Sequence, residues 1–194
     1  NFPVIQMLAD EVEADDIISY VCRFSKYKDY QKVIVSSDKD FFQLLDETTV
    51  LHRPIQKVFL NRKSIIEEYG IHPNNFALAR AIVGDKSDNL DGVPGIGLKT
   101  VAKRFPFFEN EDDVMIDDVI EFCDNQESNA KAYTAISENK DLVKNNYDLM
   151  QLYSPSLSIQ TKNSIDWSID EFEFLFNKTE MDKMMLQDGI NEIN

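Results

Sequence analysis

Apolar runs and amphipathic stretches alternate in the first third of the chain. Residues 4–8 and 32–37 are short apolar runs typical of buried strands. Between them, residues 14–22 carry apolar side chains at helical spacing, which predicts an amphipathic helix. The pattern therefore begins as strand, helix, strand.

Further elements continue this alternation. Residues 41–45 predict a short helix, and residues 48–52 and 57–60 predict two strands that form a hairpin turning at Pro54. Strands that alternate with helices indicate an α/β fold. We expect a mostly parallel sheet flanked by helices.

From residue 61 onward the pattern becomes helical. A helix over 64–69 ends at Gly70, and Pro73 opens the next helix. A polar stretch over 154–164 predicts a linker before the last helix. Four helices are predicted in the remainder of the chain, near residues 112–124, 127–138, 139–152 and 168–186.

Charge divides the chain as clearly as hydropathy does. The net charge is −15 over 194 residues. Residues 1–108 hold 14 Lys/Arg against 15 Asp/Glu, a net of −1, whereas residues 109–194 hold 6 against 20, a net of −14. Only the first part can face a phosphate backbone. We expect three regions, with boundaries at 1–60, 61–108 and 109–194, the last an acidic helical region.

Composition excludes several classes of protein. The sequence has no apolar run of about 18 residues, so no transmembrane helix is expected. Its first residues lack the basic leader of a signal peptide. Cys22 and Cys123 have no metal-ligand spacing, which favours inert thiols in a cytoplasmic protein.

Carboxylates are the most informative chemistry in the chain. Each of three short clusters also has an ordinary explanation, as the first turn of a helix, a helix N-cap or a turn. Together they favour a site for Mg²⁺ or Mn²⁺, because converging like charges need a cation and hard oxygen ligands suit these ions. The clusters contain Glu13, Asp15 and Asp16, then Asp38 and Asp40, then Asp85 and Asp88.

A glycine-rich turn follows the third cluster and leads into a basic helix over 98–105. Its glycines are expected at positive φ, which would let the backbone approach a phosphate closely. An ordinary connection between two helices is the alternative, whereas a dinucleotide-binding motif is excluded because no strand precedes the turn. The predicted DNA-binding residues are Gly92, Gly95, Gly97, Lys99, Thr100 and Lys103.

In these motifs the chain resembles the 5′-nuclease family. This family includes flap endonucleases, the 5′-exonuclease domain of bacterial DNA polymerase I and phage 5′-exonucleases, and the likeness is strongest to a phage ribonuclease H. The matching stretches are 13–16, 36–45, 84–90 and 92–100, within residues 10–105. The resemblance implies a PIN-like nuclease domain followed by a helix-hairpin-helix that completes the metal site.

The resemblance also implies an activity and its cofactors. We expect a Mg²⁺-dependent 5′-nuclease, a 5′-3′ exonuclease or flap endonuclease with RNase H activity, that removes RNA primers or 5′ flaps in DNA replication. Two Mg²⁺ ions are implied, with Mn²⁺ as a substitute, and no catalytic residue beyond their ligands. Glu13, Asp15 and Asp16 would hold the first ion, and Asp38, Asp40, Asp85 and Asp88 the second. Backbone carbonyls of Leu90, Val93 and Ile96 would hold K⁺ at the hairpin.

One departure from the family concerns the start of the chain. The 194 residues resemble only the C-terminal two-thirds of such an enzyme. In the family, another metal-binding Asp and a basic arch come before the position of Asn1. The resemblance therefore implies that activity requires those parts as well.

Partners follow from the same resemblance. Branched or RNA-primed duplex DNA would be the substrate of a monomer in the cytoplasm, or in the host cytoplasm for a phage protein, with no membrane. A sliding clamp or a single-strand-binding protein would be a protein partner. Two alternatives stay open: a PIN-type ribonuclease, and a non-catalytic helix-hairpin-helix module that binds duplex DNA.

Overall fold

A computed structural model describes residues 4–126, 131–172 and 183 of the chain. The chain divides into two compact units, one of which is Ala14–Pro155. The other combines Asn1–Glu13 with Ser156–Asn194.

A three-stranded sheet lies in the unit Ala14–Pro155. Strand β1 (Lys32–Val35) pairs in parallel with β2 (Thr49–Arg53), and β2 pairs antiparallel with β3 (Val58–Leu60). A parallel pair needs a crossover, and a 3₁₀ helix over Asp40–Leu44 forms part of it. The α/β class and the hairpin are confirmed. The sheet is evenly mixed rather than mostly parallel, since the tight turn after β2 forces the antiparallel pairing.

The predicted strand over residues 4–8 is wrong. These residues have no regular secondary structure, and the side chains of Val4 and Leu8 are largely exposed. No strand among the described residues pairs with this run. An extended segment without a partner leaves its backbone groups to water, so an apolar composition alone does not make a strand.

Helices form most of the remaining structure, and local signals set several of their ends. Asn61 and Ser64 form a capping box at the start of α2, and Gly70 ends that helix at φ 65°. Pro73 opens α3, as predicted. The helices of this unit are α1 (Ala14–Arg23), α2 (Arg62–Tyr69), α3 (Pro73–Val83), α4 (Leu98–Arg104), α5 (Ile116–Asp124), α6 (Lys131–Glu138) and α7 (Lys140–Met150).

The last described helix lies in the other unit and differs from the prediction. Helix α8 spans Ile159–Asp170 and begins within the stretch 154–164 that was predicted as a polar linker. Ser158 caps it by accepting a hydrogen bond from the backbone N–H of Thr161 at 3.0 Å. The predicted helix over 168–186 lies mostly outside the described residues. No helix of the described part is long and apolar enough to span a bilayer.

Helix α3 is the centre of the core. It packs against the 3₁₀ helix Asp40–Leu44 on one side and against α7 on another. Its own Phe76 is fully buried, as are Phe42, Phe105 and Phe108. Because α3 is held on several sides, the residues that follow its C-terminal end have a fixed place in the fold.

Candidate metal centre

Three of the predicted carboxylates converge. Asp40 begins the 3₁₀ helix, Asp85 lies in a two-residue strand β4 (Gly84–Asp85) directly after α3, and Asp88 follows in the turn. One carboxylate oxygen from each lies within 4.8 Å of the others. Residues 40 and 85, which are 45 positions apart in sequence, thus meet at one point on the molecule.

Two glycines make the local turn possible. Strand β4 pairs antiparallel with β5 (Leu90–Asp91), which returns the chain towards α3. A Cβ atom at Gly84 would lie 2.3 Å from the backbone nitrogen of Gly92, and one at Gly92 would lie 1.8 Å from the carbonyl oxygen of Val83. Only glycine permits such a close approach of two backbone segments, and this approach fixes Asp85 beside α3.

Arg80 bridges two of the carboxylates. Its Nη2 donates a hydrogen bond to Asp40 Oδ1 at 3.0 Å and another to Asp85 Oδ2. The three side chains are only 12–16% exposed. The guanidinium therefore gives the carboxylate pair a positive charge from within the protein.

Arg80 was not among the predicted site residues, although the sequence carries a signal for it. Arg80 is the only charged residue in α3, within the apolar stretch 76–83. A charge on a buried helix needs a partner of opposite sign. The acidic cluster that begins five residues later was the nearest candidate.

The two bridged carboxyl groups have different electrostatic environments. Burial raises the pKa of Asp40 to about 6, against the opposing effect of Arg80, and the neighbouring Asp38 and Asp85 raise it further. Burial also acts to raise the pKa of Asp85. There it is outweighed by hydrogen bonds from Ser87, at 2.5 Å from Oγ and 2.8 Å from N–H, and by Arg80, so this pKa is lowered. A cation at the site would favour the ionised form of both groups.

Asp38 supports the site from outside the group of three. Its Oδ1 accepts a hydrogen bond from the backbone N–H of Asp40 at 2.9 Å, and its own N–H donates to Ser36 Oγ at 3.0 Å. These contacts fix the start of the 3₁₀ helix. Asp38 is exposed, and its predicted role as a ligand stays a prediction.

The first carboxylate cluster does not join this group. Asp15 and Asp16 lie in the first turn of α1, where the helix dipole favours negative charge. They are not among the three converging carboxylates of the described residues. Glu13 belongs to the other compact unit. The first ion site therefore stays a prediction.

The glycine turn matches its prediction at one position of three. Gly95 has φ 78°, whereas Gly97 is extended at φ −127° and Gly92 is not at positive φ. Gly92 is instead required by its approach to Val83. The expectation of positive φ at all three glycines is wrong, because a chain that enters a helix through an extended residue needs no left-handed geometry there.

Helix α4 presents its basic residues outward. Lys99 and Lys103 are exposed one turn apart, and Thr100 donates its backbone N–H to the carbonyl of Gly97 at 2.8 Å. In the turn, the carbonyl of Val93 accepts the N–H of Ile96 at 3.2 Å. The assignment of the Leu90, Val93 and Ile96 carbonyls to a cation stays a prediction.

The chain is similar to known exonucleases. Residues 1–70 match the family model of the 5′-3′ exonuclease N-terminal resolvase-like domain. The 5′-3′ exonuclease of Aquifex aeolicus is 34% identical over 101 residues, 50% of this chain and 35% of that protein. DNA polymerase I of Mycobacterium leprae is 30% identical over 176 residues, 87% of this chain and 18% of that protein. The matches thus span about a third or less of these relatives.

A solved structure shares the fold. The T5 D15 protein, co-crystallized with metal ions, superimposes with a TM-score of 0.70 at 20% identity, over 86% of this chain and 62% of that one. The T5 D15 flap endonuclease in complex with DNA and metal ions gives a TM-score of 0.67 at 21% identity, over 83% and 60%. The PIN-like α/β fold and the likeness to 5′-nucleases are confirmed.

Proposed function

We propose, from this likeness to 5′-3′ exonucleases, that the protein is a Mg²⁺-dependent, structure-specific 5′-nuclease. It would cut branched or RNA-primed duplex DNA, as a 5′-3′ exonuclease and flap endonuclease with RNase H activity, and so remove primers or flaps in replication. The observation that carries the proposal is the convergence of Asp40, Asp85 and Asp88 within 4.8 Å. The T5 flap endonuclease, whose fold the chain shares, was crystallized with DNA and metal ions.

The donor set fits a hard divalent cation. The group of three offers carboxylate oxygens alone, which suit Mg²⁺ or Mn²⁺ and not zinc. Burial and the acidic neighbours of Asp40 raise the pKa of this carboxyl group despite Arg80, so a bound cation would stabilise its ionised form. Asp38 would complete the second ion site with the three converging groups, and Glu13, Asp15 and Asp16 would hold the first ion.

The residues of the chain prepare the site for hydrolysis. Bound ions would supply an activated water and charge stabilisation at the scissile phosphate. Arg80 orients one oxygen each of Asp40 and Asp85, and Ser87 fixes the other oxygen of Asp85. Such orientation reduces the reorganisation that the carboxylates need when charge develops on the phosphate.

Recognition of DNA is assigned to the glycine turn and α4. The region 61–108 would form the helix-hairpin-helix, between the nuclease region 1–60 and the acidic helical region 109–194. Phosphate contacts of this kind are independent of base sequence. The residues proposed for them are Gly92, Gly95, Gly97, Lys99, Thr100 and Lys103, with K⁺ at the carbonyls of Leu90, Val93 and Ile96. A monomer that meets a sliding clamp or a single-strand-binding protein is the proposed working form.

Asp40→Asn tests the proposal. The test uses the chain preceded by the metal-binding Asp and the basic arch that the family resemblance implies. Cleavage of flap, nicked and RNA-primed substrates should then fall by at least about a hundredfold, since even groups that only support a metal ligand contribute 10–100-fold. Duplex binding without metal should be unchanged or tighter, because one negative charge is lost near the backbone of the DNA. Asp112→Asn, an exposed acidic residue of the helical region, is the matched control.

Two outcomes would contradict the proposal. Cleavage by Asp40→Asn within about tenfold of the parent rate would exclude Asp40 as a ligand, by the same comparison. A parent protein that binds duplex DNA but neither binds Mn²⁺ nor cuts would be the non-catalytic binding module.

A further inference from the structure

A buried asparagine of α7 contacts the segment that carries Asp85. Asn146 Nδ2 donates hydrogen bonds to the carbonyl of Ala81 at 3.0 Å and to the carbonyl of Asp91 at 2.8 Å. Asn146 is only 3% exposed. Ala81 is next to Arg80 in α3, and Asp91 pairs with Gly84 in the β4–β5 ladder. One amide thus joins the two sides of the Asp85 turn.

The C-terminal end of α3 depends on such contacts. The last carbonyls of a helix lack partners within the helix. Here the carbonyl of Arg80 accepts the N–H of Gly84, and the carbonyl of Ile82 accepts the N–H of Val93 at 2.8 Å. Asn146 supplies a donor to the carbonyl between them. Because a buried carbonyl without a donor is costly, α3 ends in this geometry only while α7 lies alongside.

A second buried amide lies in the segment that carries Asp40 and contacts the end of α7. Gln43, in the same 3₁₀ helix, donates from Nε2 to the carbonyl of Met150 at 3.0 Å and accepts the N–H of Leu152 at 2.7 Å. It is 1% exposed. Met150 is the last residue of α7, one turn beyond Asn146. Both carboxylate segments are therefore hydrogen-bonded to the same end of one helix.

We propose that Gln43 and Asn146 are positioning residues that set the separation of Asp40 from Asp85 through helix α7. The carboxylates of Asp40 and Asp85 repel each other. Within the described residues, one guanidinium, that of Arg80, is shared between these two carboxylates. Fixing both backbones to α7 keeps the carboxylates together before any cation arrives. This inference rests on the proposed metal-dependent function, and it gives the acidic helical region a part in the site.

Asn146→Ala tests the inference, with Asn75→Ala as its matched control. Asn75 is equally buried and donates to the carbonyls of Phe108, Asn110 and Asp112, but it lies near the start of α3, away from the carboxylates. Mn²⁺ affinity, measured by EPR titration of the 194-residue chain, should fall about tenfold in Asn146→Ala. It should change less than about twofold in Asn75→Ala, since that site is not a metal support.

Hydrogen exchange of the metal-free protein gives a readout that needs no ion. Amides of residues 84–93 should exchange faster in Asn146→Ala and not in Asn75→Ala. Gln43→Glu removes a donor while it keeps the size of the side chain, so it should accelerate exchange in residues 40–45 and weaken Mn²⁺ binding as well. Gln43→Glu also tests the inference if Asn146→Ala does not fold.

The failures of the two proposals are distinguishable. If the parent chain binds no Mn²⁺, the metal site fails, and the exchange comparison still decides whether α7 positions the two segments. If Asn146→Ala and Gln43→Glu keep parental exchange and parental Mn²⁺ affinity, the positioning role is wrong. It is also wrong if Asn75→Ala weakens Mn²⁺ binding as much as Asn146→Ala does.

Discussion

The carboxylate group and the glycine turn follow each other in sequence but are built in opposite ways. Asp40 and Asp85 are largely buried and share the guanidinium of Arg80. In the turn over residues 92–97, by contrast, a Cβ atom at Gly95 or Gly97 would meet no other atom within 4 Å. The lysines of the following helix are exposed.

The two regions have the structures that two different functions would require. A hydrolytic centre needs charges held in place before substrate arrives, so its geometry is maintained by hydrogen bonds from several elements. A surface that grips any phosphate backbone needs open space and exposed cations. Perturbing one region should therefore leave the other intact, and the following changes test that separation.

Arg80→Met should have the largest effect on stability. Methionine keeps much of the packing but removes the charge between Asp40 and Asp85, and breaking a buried ion pair costs about 3 kcal/mol. Chemical denaturation at neutral pH without metal measures the loss, and added Mn²⁺ should restore part of it. Duplex binding by the folded variant should be nearly normal.

Arg62→Met is the control for this change. Arg62 pairs with Glu47 and Glu111, whose side chains are 75–76% exposed, so its loss should cost about 1 kcal/mol or less. If Arg62→Met and Arg80→Met lowered the free energy of unfolding equally, the carboxylate group would be no more organised than an ordinary surface ion pair.

The stability of the metal-free protein should depend on the charge of Asp40. Its pKa is about 6 in the folded state against 3.8 as the ordinary value, so the unfolded state binds fewer protons between these pH values. Stability contributed by the protonated form is thus lost as pH rises from 3.8 to about 6, by about 3 kcal/mol in total. Asp40→Asn cannot ionise, so its unfolding free energy relative to the parent should rise over this interval. A constant difference would contradict the assigned environment.

Much of the fold was predictable because its signals are local. Gly70 and Pro73 mark helix ends by their own chemistry, and the structure has these ends where predicted, whereas the helix predicted from residue 64 begins two residues earlier, after the Asn61 cap. Residues 4–8 show the limit of such signals. An apolar run forms a strand only beside a partner, and the sequence does not say whether a partner is adjacent.

The candidate site was predicted in part for the same reason. Asp40 and Asp85 follow element ends that the pattern locates, so their convergence could be expected. Gln43 and Asn146 contribute through contacts with residues more than 50 positions away, and Arg80 joins Asp85 to Asp40, which is 40 positions from Arg80. A buried polar residue signals that it has a partner but does not identify that partner.

Lys99→Ala combined with Lys103→Ala should weaken binding to every duplex sequence alike. Both side chains are exposed on one face of α4, so each can contact a phosphate. The slope of log affinity against log salt concentration should drop by about one to two. Lys140→Ala with Lys144→Ala, an exposed pair at the same spacing on α7, is the matched control. Equal slopes for the two double variants would mean that α4 does not face DNA.

Gly95→Val should have a smaller effect on stability than Arg80→Met and a selective effect on binding. At φ 78° a β-branched residue is strained, although no neighbouring atom obstructs it, so the cost should be about 1–2 kcal/mol. The valine methyl groups would project into the space that a phosphate needs, and duplex affinity should fall while Mn²⁺ titration stays near normal. Gly92→Ala should instead lower Mn²⁺ affinity, because its Cβ would collide with the carbonyl of Val83 and displace the strand that carries Asp85. If both variants lose Mn²⁺ binding together, the turn and the carboxylate group form one structural unit, and their separation is wrong.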